Sequence, residues 1–118
     1  MPLVTVRHWA KGLMEINEIL TVLPEVLPEV VAEALHVESN EKAHLTKDDI
    51  EVIFDKGNRS DIHGNFDFSV RVEAMFFPER AERAEMAAKL IRDKVAEALV
   101  GLKGYVWLVL PVAAFVET

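Results

Sequence analysis

The chain has 118 residues, no cysteine, and a formal net charge of −7 from 20 acidic against 13 basic side chains. Hydrophobic residues make up 51% and charged residues 28%, the balance of one globular domain over residues 1–118 with a core that needs no staples. This excludes disulfides, thiolate catalysis and cysteine-based metal sites, and the acidic balance argues against nucleic acid, whose phosphates need a basic footprint.

The first element opens Met1-Pro2-Leu3-Val4-Thr5-Val6. Leu3 to His8 reads as a strand, with Val4 and Val6 on one face and Thr5 and Arg7 on the other. Proline behind an initiator methionine is common and simply lets Met1 be cleaved. Once Met1 is trimmed, though, Pro2 is a secondary amine anchored at a strand start. An ordinary α-amino group titrates at roughly 7.7–8.0, and apolar burial lowers that value. Such an amine serves as a general base at neutral pH. With Met1 retained, the same nitrogen is an amide without basicity.

Trp9 to Asn17 fits a loop or a short helical turn, loosened by Gly12. Apolar residues then recur at Val22, Leu23, Val26, Leu27, Val30, Val31, Ala34 and Leu35, which is helix spacing with a wide buried stripe. The expected helix is Leu23 to Val37, with Thr21 as N-cap and Pro24 in the first turn. Pro28 kinks it unless it too lies near the start. Glu38 to Lys47 is polar and reads as loop.

Ile50 to Asp55 reads as the second strand, with Ile50, Val52 and Phe54 on one face. Lys56 to Asn65 is rich in turn residues and reads as loop. Phe66 to Phe76 alternates: Phe66, Phe68, Val70, Val72 and Ala74 face one way, and Asp67, Ser69, Arg71 and Glu73 the other. Met75, Phe76 and Phe77 read as core and strand-end packing. Pro78 opens a second helix with Glu79 and Glu82 near its positive end. Its inward stripe is Ala84, Ala87, Ala88, Ile91, Val95 and Leu99, and Gly101 and Gly104 stop it. Glu79, Arg80, Glu82, Arg83, Glu85 and Lys89 read as a solvated charged face. Tyr105 to Val116 is a last apolar strand, interrupted at Pro111.

The order is β-α-β-β-α-β in two β-α-β halves, residues 2–55 and 66–116. The fold class is α+β, a two-layer sandwich of a four-stranded sheet with two helices on one face. The other face carries Thr5, Arg7, Glu51, Arg71 and Glu73, and the apolar last strand, with Trp107, Leu108, Val109 and Leu110, favours a partner subunit. The N-terminus has no signal-peptide pattern, and Tyr105 to Val116 is shorter than the about 20 residues a membrane-spanning helix needs. A soluble, cytoplasmic oligomer without a membrane partner is expected.

Element order, length, the Met1-Pro2 start, Val52-Ile53-Phe54-Asp55 at the second strand's end and the long connection before Thr21 agree on one family. The chain resembles the tautomerase superfamily, in particular its longer members of the macrophage migration inhibitory factor and 5-carboxymethyl-2-hydroxymuconate isomerase kind. The resemblance implies a homotrimer whose sheets surround a central channel, with a pocket near each Pro2 at a subunit boundary. It implies a tautomerase or isomerase, without cofactor, that moves a proton on a small anionic keto or enol acid such as a 2-hydroxymuconate or phenylpyruvate. Pro2 is then the general acid/base.

Several members place an arginine at the start of the second strand; here the stretch is Lys47-Asp48-Asp49-Ile50, with Lys47 its only cation. Arg71 and Arg59 are the substitutes for gripping the substrate, and Tyr105 and Trp107 the candidate aromatic walls. Arg7 lies five strand residues from Pro2, roughly 16–17 Å, outside reach within one subunit. The same base also serves dehalogenation or decarboxylation.

His8, His36, His44 and His63 share no short metal-ligand spacing, so no metal site is expected. His63 and Asp61 read as a solvated loop or an accessory acid. Ser60, Asp61 and His63 lack a nucleophile elbow, and Gly57 and Gly64 lack a phosphate fingerprint. Two alternatives stay open: a non-catalytic ferredoxin-like binding module of the ACT type, and a tautomerase-like protein that has lost its chemistry.

Overall fold

The computed structural model describes residues 2–9, 12–57 and 66–111. Strand β1 (Leu3–His8) leads into helix α1 (Leu13–Leu35), two short 3-10 turns (Glu41–Ala43 and Lys47–Asp49) and β2 (Glu51–Lys56). Strand β3 (Phe68–Glu73), a helix in two parts, α2 (Pro78–Glu82) and α3 (Ala84–Ala98), and β4 (Gly104–Val109) complete it. The sheet order is β2-β1-β3-β4. Strand β1 runs parallel to β2 and antiparallel to β3, and β3 runs parallel to β4. The architecture is the expected α+β two-layer β-α-β-β-α-β. Each β-α-β half pairs its own two strands directly. A ferredoxin-like frame splits that unit with another strand, so the ACT-type alternative loses its scaffold.

Val4, Val6, Val70 and Val72 point from the sheet into a fully buried layer, met by Ile19, Leu23, Leu27 and Val31 of α1 and Ile91 of α3. That layer explains the first departure from expectation. Helix α1 starts ten residues early, at Leu13, with Gly12 extended at the N-cap position. Its first turn lies outside the buried stripe, with Leu13 and Met14 exposed, while Ile16 and the fully buried Ile19 continue the Leu23 and Leu27 spacing back toward it. Thr21 is therefore no cap; its hydroxyl donates to the Asn17 carbonyl one turn back. Pro24 and Pro28 both sit inside the helix. Each deprives a carbonyl one turn earlier of its N–H and costs about 3 kcal/mol against alanine. Pro24 is exposed and Pro28 half-buried. Burial of a Val, Leu or Ile side chain contributes about 1.5–3 kcal/mol, so the stripe from Ile19 to Leu35 outweighs two breaks in the ladder.

Other boundaries also moved. The helix expected from Pro78 breaks at Arg83 (φ −107°, ψ 9°), so α2 and α3 are separate. Gly101 closes α3 in a left-handed conformation (φ +89°), as a helix-ending glycine does. Gly104 starts β4 and stops nothing: a Cβ there would lie 2.3 Å from the buried Phe68 ring. Strand β3 is shorter than Phe66 to Phe76. Phe66 lies outside it, edge-on to Tyr105 at 4.9 Å. Met75 and Phe76 are exposed, not core. Strand β4 ends at Val109; residues 112–118, with the expected end at Val116, lie outside the described residues. So do Ser60, Asp61, His63 and Gly64 of the loop. Among the described residues, no helix is long and apolar enough to cross a membrane.

Candidate active site

Strand alternation and register write the free sheet face as rows. One runs Asp55, Arg7, Ser69, Tyr105; the next runs Ile53, Thr5, Arg71, Trp107; the third runs Glu51, Leu3, Glu73, Val109. Over the first two rows lies a cavity of about 460 Å³, walled by Arg7, Ser69, Arg71, Trp9, Tyr105 and Trp107. Arg7 gives Nε (3.1 Å) and Nη2 (2.9 Å) to one oxygen of Asp55. Arg71 gives Nε to Glu73 at 2.8 Å. Among the described residues no hydrogen bond engages the Arg71 Nη groups, so a planar fork remains for a carboxylate beside the indole of Trp107. Trp107 is 63% exposed.

Pro2 stands elsewhere. Alternation puts it with Val4 and Val6 on the helix side, and it is buried. Its carbonyl accepts the Glu51 N–H at 3.1 Å, which ties the chain start to β2. Leu3 faces Glu73, so Pro2 lies beside Ala74, itself buried. Lys47 belongs to the 3-10 turn just before β2, at the same end of the sheet. Its carbonyl accepts the Ile50 N–H (3.3 Å), and the turn is closed by the Thr46 N–H on Asp49 Oδ2 (2.8 Å). Lys47 is exposed, with Asp48 and Asp49 beside it.

Within one chain, then, Arg71, Tyr105 and Trp107 come together in the cavity, and Pro2 and Lys47 share the strand-start end outside it. Arg71 lies opposite Thr5, three strand residues from Pro2, roughly 10 Å. Arg59 lies outside the described residues.

Sequence reasoning missed Arg80, which it placed on a solvated face. Arg80 is 5% exposed. Its Nε donates to the Leu35 carbonyl at the end of α1 and its Nη1 to the Met75 carbonyl, both at 3.0 Å. The guanidinium carbon lies 4.9 Å from the Phe77 ring centroid. Among the described residues no carboxylate pairs with it; burial pulls its pKa below the usual arginine value. The signal was present: Arg80 is four residues before Ala84 and seven before Ala87, on the inward stripe.

A second cluster escaped the spacing argument. His36, Glu38 and His44 bring one ligand atom each within 4.8 Å of one another, and the two rings stack at 4.8 Å. The hydrogen bonds decide what this trio does. His36 Nδ1 accepts the Leu45 N–H (3.0 Å), so in the neutral ring Nε2 carries the proton given to Glu38 (2.8 Å). His44 Nε2 donates to the Glu38 carbonyl (2.9 Å). A metal-bound histidine needs one bare nitrogen and an acceptor for the other N–H. His36 offers the reverse, and the trio as built is a clamp on the α1–β2 connection. The His36 hydrogen bond, then the charges of His44 and His36, hold the Glu38 carboxyl below its ordinary range.

No family model matches the chain, and no curated protein matches it. Solved structures do. The macrophage migration inhibitory factor of Trichinella spiralis superposes with a TM-score of 0.60 at 12% identity, over 98% of this chain and 95% of that one. Leishmania major MIF2 gives 0.53 at 12% identity, over 99% and 94%. Malonate semialdehyde decarboxylase, studied with a variant in which alanine replaces a proline at its first position, gives 0.54 at 12% identity, over 98% and 91%. This chain shares the fold of these proteins.

Proposed function

We propose that the protein is a cofactor-independent tautomerase acting on a small keto or enol acid, with Pro2 as general acid/base after removal of Met1. The observation that carries this reading is the burial of Pro2 at the head of β1 in a tautomerase-superfamily fold. Burial among apolar neighbours disfavours an ammonium, so the imino nitrogen is free to accept a proton near neutral pH. The five-membered ring fixes the nitrogen without rotamer loss. Pro2 takes the proton from the enol hydroxyl, and the protonated ring delivers it to carbon, so the reaction has no net co-reactant.

The separation of Pro2 from the Arg71 cavity gives assembly a role. In a homotrimer, Arg71, Tyr105 and Trp107 of one copy wall the Pro2 pocket of its neighbour. The Arg71 fork then holds the substrate carboxylate, and the aromatic rings exclude water. Lys47, already at the Pro2 end, is a further cation for the same pocket.

The test has two steps. Intact mass of natively produced protein must show the loss of Met1. That material must then ketonise phenylenolpyruvate or a 2-hydroxymuconate; malonate semialdehyde, the substrate named for one structural neighbour, distinguishes decarboxylation by the same base. A Pro2-starting protein inert on all three overturns the reading.

A further inference from the structure

A 23-residue helix aims its negative end at the part of the molecule where Pro2 is buried. Helix α1 ends at Leu35, and its last carbonyls carry about half a negative charge. Left alone, that charge favours a protonated amine nearby and spoils a base. We propose that Arg80 is the positioning cation that cancels the end of α1 and keeps the Pro2 nitrogen unprotonated.

Three observations place it there. Arg80 Nε occupies the Leu35 carbonyl itself. Its Nη1 holds the Met75 carbonyl, and Met75 follows Ala74, the residue beside Pro2 in the continued β1–β3 register. The guanidinium is buried without a carboxylate among the described residues, so its charge is not spent on a local pair. An arginine serving only as a staple would gain from such a partner, because an unpaired buried charge is costly.

The other charged groups at this end are Glu51 on β2, Glu73 on β3, Lys47, Asp48 and Asp49 in the 3-10 turn, Glu33 and His36 at the end of α1, and Glu79 on α2. Most are exposed and screened by water. Glu73 is half-buried and already paired with Arg71, and His36 is engaged in its clamp with Glu38 and Leu45. Glu79 is the real opponent: it is half-buried, and its Oε2 is enclosed without a hydrogen bond. The two neighbours on α2 therefore act on Pro2 with opposite signs.

The inference rests on the Pro2 reading above, and the test separates the two. In protein of verified N-terminus, the Pro2 nitrogen is titrated by ¹⁵N-proline NMR, which needs no turnover. At an effective dielectric of about 20, a unit charge about 10 Å from an amine moves its pKa by about one unit, so Arg80→Met is expected to raise the Pro2 pKa by an amount of that order. The acid limb of the kcat/KM profile moves up by the same amount. Replacing Arg80 by citrulline, which keeps the Nε–H, one terminal NH2 and the planar shape but removes the charge, gives the same shift even if the methionine variant does not fold. Glu79→Gln moves the titration the other way. An unmoved Pro2 titration in the citrulline protein overturns the role of Arg80 and leaves the Pro2 reading standing. A wild-type sample with no titrating imino nitrogen overturns both.

Discussion

Replacing Pro24 by alanine should stabilise this protein, an uncommon outcome for a single substitution. Pro24 lies twelve positions into the 23-residue α1 and is exposed, so alanine forfeits little burial. Its ring leaves the Leu20 carbonyl without the N–H four residues on. Alanine restores that bond and recovers about 3 kcal/mol of helix propensity. Against this stands the looser unfolded chain, worth about 0.4–1 kcal/mol. The net expectation is a gain of about 2 kcal/mol. For a domain of this size that is a rise in Tm of about 8 °C. Urea unfolding followed by circular dichroism measures it, and an unchanged m-value shows that the compactness of the end states has not moved. No gain, or a loss, would mean that α1 is not continuous through Pro24, and that Leu13 to Leu23 does not form the first half of one helix.

The remaining predictions concern packing, pH and assembly. Gly104→Ala forces the Phe68 ring aside and destabilises by about 1–3 kcal/mol, read in the same unfolding experiment, with partial rescue by Phe68→Leu. Because the folded-state pKa of Glu38 is lowered from 4.5, its contribution is present above pH 4.5 and is lost as pH falls through the lowered value. The Tm difference between wild type and Glu38→Gln should therefore shrink as pH falls through that lowered value, and a difference that persists there would refute the assignment. Mixing inactive Pro2→Ala protein with inactive Trp107→Ala protein, after dissociation and reassembly, should restore part of the activity. Some pockets then receive Pro2 from one copy and Trp107 from another, and no recovery would remove the shared pocket.

The parts of the fold legible in sequence were those written in local periodicity. Val70 and Val72 alternate with Ser69 and Arg71, and the strand they form is where alternation put it. Ala87, Ile91 and Val95 recur at helix spacing and are buried as a stripe. What periodicity missed needs tertiary information. Ile16 and Ile19 continue the Leu23 and Leu27 spacing back toward the true start of α1, but two prolines argue falsely for a later one, and the first turn itself, with Leu13 and Met14, gains no burial. Arg80 carries a surface residue's chemistry on an inward position, and only the free carbonyls of Leu35 and Met75 explain its burial. His36 and His44 lie eight residues apart and meet because the connection folds back over Glu38. Pro2 and Arg71 are expected at one pocket on a subunit boundary, and within a single chain the register of β1 with β3 sets them three strand residues apart.

The central claim is that a buried imino nitrogen does the chemistry. Steady-state ketonisation of phenylenolpyruvate by Pro2-starting wild type and by Pro2→Ala tests it most directly. General acid–base catalysis contributes about 10²–10⁴-fold, so kcat/KM should fall by that factor while the circular dichroism spectrum stays unchanged. Equal rates from the two proteins would contradict the account.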